Sequence, residues 1–427
     1  MRTFLLTFSL LLLAEIAHSQ NRDLNFYIEQ AKVNSPLINK SVNDSKLLEL
    51  DLTQIKNLLY KPQLSFEANM LLAPIFSRDN NSNQFQLITE GANDYLGYDL
   101  SYSDGGQYQA LVTAKLPLFK KSVYGAYKQK AEILRKQNEN DIVLTEHELE
   151  QLVRHQYLLC LTSKKQNDIS RYLVEELNEQ LQIMQDLVEN AIYKQTDLML
   201  MQIEIKNNEI ESQSYQNEYQ NNLFNLNLLC GIEDSTNVNI EDVNFQLERN
   251  IQTESRFLEK YQLDSLTIQS AQLLFEQKYK PQFNVFANAG MNAIYMPSFK
   301  HFGIATGINL SWIIFDGNQK KIQFEKSLIQ VQTLEFEKKN FIIQNRINKS
   351  RYLAQLKLID KSIEINTQQL NEYQDIMNRY IAELRQAQIS VMDFKNLVRD
   401  IAKKKQDFLL LEMQRQALIN LYNYWNF

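Results

Sequence analysis

The sequence predicts an α+β protein built from one unit used twice: a helix, a β-hairpin and a long antiparallel coiled-coil hairpin. Three observations predict it. Tyr60-Lys61-Pro62-Gln63 recurs as Tyr279-Lys280-Pro281-Gln282, and an internal repeat sets architecture before any local motif does. Each copy opens a run of strict polar/apolar alternation. Glycine and proline, only 10 and 6 in 427 residues, are then absent between Gly125 and Gly231 and again after Gly317. Such stretches are read as long unbroken helices, because the two strongest helix breakers are missing.

Residues 1–19 have the layout of a secretory signal. Arg2 is the charged start, Phe4 to Leu13 the apolar core, and Ala17-His18-Ser19 the small-x-small site before Gln20. The apolar run is too short for a retained membrane span. No cysteine follows the cleavage site, so a lipid-anchored form is not expected.

The first repeat covers 20–231. Leu24 to Tyr60 reads as helix broken at Pro36. Leu64, Phe66, Ala68 and Met70 then alternate with Gln63, Ser65, Glu67 and Asn69, the period of a two-faced strand. Residues 72–107, rich in Asn, Asp, Ser and Gly, read as one long loop. The return strand puts Tyr108, Ala110, Val112, Ala114, Leu116 and Leu118 on one face and Gln109, Thr113 and Lys115 on the other. Pro117 lies near its end, where a missing N–H is tolerated. This hairpin, 62–118, leads into a helical hairpin turning near Tyr193 and ending at Leu229-Cys230-Gly231, with Gly231 as C-cap. Residues 232–256 are a polar, irregular connector.

The second repeat, 257–427, follows the same order. Its β-hairpin, 281–315, sets Phe283, Val285, Ala287, Ala289 and Met291 against Gln282, Asn284, Asn288 and Gly290. A loop from Asn292 to His301 leads to Phe302, Ile304, Thr306, Ile308, Leu310, Trp312 and Ile314, opposed by Gly303, Ala305, Gly307, Asn309 and Ser311. Asp316-Gly317 turns that strand into a helical hairpin reversing near Gln386. Tyr352, Leu356, Ile359, Ile363, Asn366, Leu370, Tyr373, Met377, Tyr380 and Leu384 step by fours and threes, a coiled-coil seam with one polar break. At 1.5 Å per residue this helix would run about 100 Å. Phe394, Leu397, Ile401, Phe408, Leu411, Leu418, Tyr422 and Trp425 mark the returning seam.

Several chemistries are excluded. A net charge of -6, spread along the chain, is no nucleic-acid footprint. No Gly-x-x-x-x-Gly-Lys loop occurs, and His147 and His155 lack a partner at metal-ligand spacing. Glu175-Glu176 and Asp141 near Glu146 sit on charged helix faces. No nucleophile, base and oxyanion donor gather, so neither an enzyme nor a cofactor is expected. Cys160 and Cys230 lie 33 and 37 residues from the reversal at Tyr193, hence at similar heights. They are either a disulfide of an oxidising compartment or two buried free thiols. Phe427 has the aromatic character of a barrel-assembly signal, but it follows a helix instead of ending a strand.

Each alternating run has about the length a tilted strand needs to cross a bilayer. An isolated hairpin is barely stable in water. Four strands cannot close a barrel, and open edges do not persist in lipid. Several copies must therefore share one barrel: two would give eight strands and a filled interior, three would give twelve and a lumen. The shape is that of a conduit. A periplasmic coiled-coil scaffold with no transport role is the rival reading; a pump adaptor would need Gly- and Val-rich lipoyl-like blocks, which do not occur.

At this level the chain resembles the TolC-like outer-membrane efflux proteins over essentially its whole mature length. The duplicated Lys-Pro-Gln strand starts carry the resemblance, with Leu116-Pro117-Leu118-Phe119, Trp312-Ile313-Ile314-Phe315-Asp316-Gly317, Leu228-Leu229-Cys230-Gly231 and two helix-turn-helix tips. The resemblance implies a homotrimer with a twelve-stranded barrel in outer-membrane lipid and a twelve-helix periplasmic tunnel. It also implies a periplasmic adaptor (membrane fusion) protein and an inner-membrane pump of RND or ABC type. Adaptor docking is expected at the tips, with Ala191, Ile192, Tyr193, Thr196 and Asp197 on the first and Leu384 at the second. Ala191 and Leu384 stand where the family has glycine. A periplasmic gate and selectivity site is expected at Arg385, Ser390 and Asp393. Asp393 either narrows and charges the tunnel or only caps its helix.

Overall fold

The computed structural model describes residues 22–79, 83–86, 93–97, 106–233, 238–248, 255–293, 302–386 and 388–427. The signal-like residues 1–19, most of the Asn292–His301 loop and parts of 72–107 lie outside these. The element order is α1 (Leu24–Asn34), α2 (Pro36–Tyr60), β1 (Gln63–Leu72), β2 (Ile75–Ser77), β3 (Gln84–Gln86), β4 (Tyr95–Leu96), β5 (Gly106–Leu118), α3 (Lys121–Glu189), α4 (Gln195–Cys230), α5 (Arg256–Glu276), β6 (Gln282–Ala293), β7 (Phe302–Ser311), α6 (Gln319–Arg385) and α7 (Val391–Trp425). Pro36 opens α2 at the first helical position, where its missing N–H costs nothing.

The chain divides into two compact units that cut across the repeats. One comprises Asn43–Asn138 and Tyr261–Phe336 and contains every strand. Its main sheet is antiparallel throughout, in the order β1-β5-β6-β7. Its fourth strand is shorter than the alternation predicts. It stops at Ser311 because the Trp312 indole N–H donates to the Tyr279 carbonyl (3.2 Å) and Asp316 caps the next helix through the Lys320 N–H (2.7 Å). The supposed loop 72–107 also needs correction: it contains a second sheet, β3-β2-β4. Ile75 and Ala73 are buried there, and Asp79 holds the loop together by accepting from the Asn93 and Asp94 N–H groups (2.8 and 2.9 Å). Short apolar segments between polar ones carry too little periodicity to announce such a sheet.

The other unit comprises the chain up to Val42, Glu139–Lys260 and Glu337–Phe427. One of its cores gathers Tyr27, Tyr157, Leu161, Leu223, Leu226 and Ile419 around the two cysteines. Cys160 and Cys230 are free thiols, and burial pushes each up to about 12, so both stay protonated at neutral pH. Gly231 ends α4 in the left-handed region at φ 64°, with Asn34 packed against it and donating to the Cys230 carbonyl (2.9 Å).

The described part of the connector, 238–248, is irregular but firmly held. Tyr219 donates to the Val238 carbonyl (2.6 Å), Lys164 to Ile240 (2.8 Å) and Tyr157 to Glu241 (2.8 Å). Gln416 and Asn423 of α7 accept from the Phe245 and Glu248 N–H groups (2.6 and 3.0 Å). This strap corrects the returning seam. Beyond Ile401 the buried positions of α7 are Leu409, Gln416, Ile419, Asn420 and Asn423, while Phe408, Leu411, Leu418, Tyr422 and Trp425 are only half-buried. Amides face inward there because the strap offers backbone groups that must be paired.

Candidate functional site

Two places bear on the conduit that the sequence leads one to expect: the main sheet and the two helical turns. In the sheet, register aligns the apolar sets of all four strands. Phe66 opposes Val112, Val112 opposes Ala289, and Ala289 opposes Ile304. Leu116, Val285 and Ile308 form another such row. Directly opposed residues share a face, so one side of the sheet is apolar and the other carries Ser65, Thr113, Asn288 and Ala305 in one row. Phe286, which the alternation does not explain, falls on the polar side. Its ring lies over Gly307, where an added Cβ would come within 2.6 Å of it. β1 and β7 are the two edges, and both are exposed along their whole length apart from Gly307. No helix among the described residues is long and apolar enough to cross a membrane.

At the first turn, α3 ends in a Schellman motif: the Ala191 N–H reaches the Val188 carbonyl (3.0 Å) and the Ile192 N–H the Leu187 carbonyl (2.9 Å). Ala191 therefore sits at φ 56°, a conformation that costs an L-residue about 1–2 kcal/mol. Ala191→Gly should stabilise this turn by about 1 kcal/mol, slowing amide exchange at Ile192 roughly fivefold; unchanged exchange would show that the strain is relieved elsewhere. Asp197 accepts from the Lys194 N–H (3.0 Å) at the start of α4. Ile192 and Thr196 are exposed.

At the second turn α7 opens on a side-chain cap. The Ser390 hydroxyl accepts from the Asp393 N–H (3.1 Å) and donates to the Asp393 carboxylate (2.7 Å). Ser390 and Asp393 thus cap α7, and both are exposed; Arg385 is the last residue of α6. Leu384, which the sequence assigns to a docking surface, is instead 0 % exposed and fills the core of the tip. That core joins Leu177, Met184, Leu198, Met201, Met377, Val391 and Phe394.

Two links between the turns escape the sequence. The Tyr193 hydroxyl donates to the Ile389 carbonyl (2.7 Å), with the Leu384 carbonyl at 3.3 Å. Farther along α4, the buried Glu204 meets Arg399 (2.8 Å) and Lys395 (3.6 Å) of α7, beside a cleft of about 550 Å³. An isolated acid on a charged helix gives no sequence signal; only the facing helix shows its purpose. His147 is a packed residue, stacked on Tyr424 and on Phe427, and burial lowers its basicity. The described residues contain no cluster of His, Cys, Asp or Glu that could hold a metal.

No protein-family model matches the sequence, and no curated protein matches it significantly. Solved structures do. The chain is similar to CusC, whose structures describe transmembrane channel formation, at 13% identity and TM-score 0.69, with 94% of this chain and 91% of that one covered. The fold is that of outer-membrane channels. It is also similar to VceC, an outer-membrane protein of Vibrio cholerae (11% identity, TM-score 0.67, 94% and 96% covered). The Campylobacter jejuni outer-membrane channel CmeC gives 11% identity and TM-score 0.66 over 94% and 85%.

Proposed function

We propose that three copies of this chain form an outer-membrane channel-tunnel of an efflux or secretion system, a passive conduit and not an enzyme. The observation that carries this reading is the main sheet, with one apolar face, one polar face and two unpaired edges. Edge strands of ten residues cannot stay open in lipid, and pairing β7 of one copy with β1 of the next satisfies both. Twelve strands leave a lumen lined by the polar rows. The helices supply a second reason. Ile322, Ile329, Phe336 and Ile343 of α6 lie seven apart and are all exposed, as are Met199, Ile203 and Ile210 of α4. Such heptad stripes want a partner helix, and a neighbouring copy supplies one. A periplasmic adaptor and an energised inner-membrane pump complete the pathway, with docking at the tips.

Native mass measurement of detergent-extracted protein tests the assembly. A trimer is expected; a well-folded monomer or dimer, or release by osmotic shock without detergent, would return the rival scaffold reading. The gate belongs to the tip near Arg385, Ser390 and Asp393. Asp393→Asn keeps an acceptor for Ser390 but removes three converging charges, so the cation-over-anion permeability ratio from reversal potentials should fall. An unchanged ratio, together with sensitivity to charge in the 72–107 segment, would move the constriction to the outer mouth.

A further inference from the structure

The fold gathers four segments that lie far apart in the sequence: 60–62, 119–122, 277–281 and 312–321. They meet at the end of the main sheet from which the helices depart. Tyr60 packs edge-on against Tyr124 (5.7 Å) and Phe119 against Phe283 (5.7 Å). Lys280 donates to the Ser122 hydroxyl (3.1 Å), Lys120 to the Gln282 amide, and the Trp312 indole to the Tyr279 carbonyl (3.2 Å). The four segments hold seven lysines and one aspartate, hence +6, in a chain of net charge -6; the rest of the chain therefore carries -12.

Carboxylates of the described residues leave most of this charge unneutralised. Among the described residues, only Lys321 of the seven has a carboxylate within ion-pair reach, Glu325 at 3.9 Å. Lys121 begins α3 and Lys320 and Lys321 lie in the first turn of α6, neither of which has an acid there. Cations at a helix N-terminus oppose the helix dipole, so fold stability selects against them. Apolar side chains share the level: Ile314 is 85% exposed, Phe315 83% and Phe119 82%. Trp312 prolongs the apolar face of β7 by the same alternation and keeps its polar edge bonded. Lys320 lies 5.6 Å from the ring of Tyr279, whose hydroxyl donates to Asp316. An amphipathic aromatic rim bearing lysines, continuous with an apolar wall, has the composition of a surface that meets lipid headgroups.

We propose that this rim binds the phosphates of anionic phospholipids in the bilayer leaflet on the helix side of the barrel, setting the depth at which the barrel sits. The inference rests on the channel reading. Lysine ammonium groups would donate to phosphodiester oxygens while the exposed aromatics occupy the interfacial layer.

The test compares the full-length trimer in vesicles of phosphatidylethanolamine with and without phosphatidylglycerol, reading co-purified lipid by native mass spectrometry. Phosphatidylglycerol should be retained roughly tenfold over its share, and the preference should collapse at high salt. The variant Lys120→Gln/Lys121→Gln/Lys320→Gln/Lys321→Gln should lose the preference while keeping the trimer mass, and Lys403→Gln/Lys404→Gln on α7 should keep both. No preference in the wild type, or a preference that survives the fourfold variant, overturns the assignment. Displacement of the lipid by inorganic phosphate at equal ionic strength would mean a free-anion site and overturn it too. A chain that enters neither vesicle overturns the channel reading, and this inference with it.

Discussion

Val112→Arg should abolish insertion of the barrel, whereas Thr113→Arg, one residue on, should be tolerated. Val112 lies in the row Phe66-Val112-Ala289-Ile304, which is apolar on all four strands and close to the middle of the sheet. An arginine near the bilayer midplane costs about 2–4 kcal/mol on the lipid face. The cost is incurred in every copy before the shared barrel can close, so its effect on a trimer is multiplied. Thr113 belongs to the opposite row, with Ser65 and Asn288, where water can solvate a charge. Heat-resistant trimer in the membrane fraction measures both. Equal loss from the two substitutions would mean that the sheet has no lipid face, and the channel reading would fall with it.

How much of this was legible depends on where periodicity is the signal. Period two placed the apolar rows of the sheet, since a strand's side chains alternate whatever their neighbours do. The seam of α6 was legible for the same reason: all ten residues from Tyr352 to Leu384 are buried or half-buried, including Asn366. The sequence could not show what depends on a distant partner. Gln416, Asn420 and Asn423 look like surface residues until the strap at 238–248 supplies backbone groups for Gln416 and Asn423, and the Gln151 carbonyl one for Asn420. Glu204 looks solvated until α7 brings Lys395 and Arg399 to it. The lysine rim was hidden because four short segments each hold only one or two lysines. Its place at a turn marks Tyr193 in the sequence, but its hydrogen bond to Ile389 leaves no such mark. Leu384 shows a related limit: position at a tip says nothing about which way a side chain faces, and this one is buried.

Phe394→Ala should loosen the tip and raise resting conductance without weakening the barrel. Phe394 is fully buried among Leu177, Met201, Leu384 and Val398, where helices from both repeats meet. Removing a buried phenyl ring costs about 3–5 kcal/mol, part of it as an unfilled cavity. Nearby polar contacts are too weak to make this good. The Tyr193–Ile389 bond contributes about 1 kcal/mol, so Tyr193→Phe should produce a similar but much smaller change. Arg399 is largely exposed, and its bond to Glu204 is screened accordingly. The expected signature is faster amide exchange in the first turns of α7 and the last of α6, with higher single-channel conductance and unaltered heat resistance of the trimer. The two readouts separate the physics from the function. Faster exchange with unchanged conductance would mean that the tip had loosened and the constriction lies elsewhere. Unchanged exchange would mean that neighbouring copies, through the exposed stripe of α4, hold the tip more firmly than its own core does.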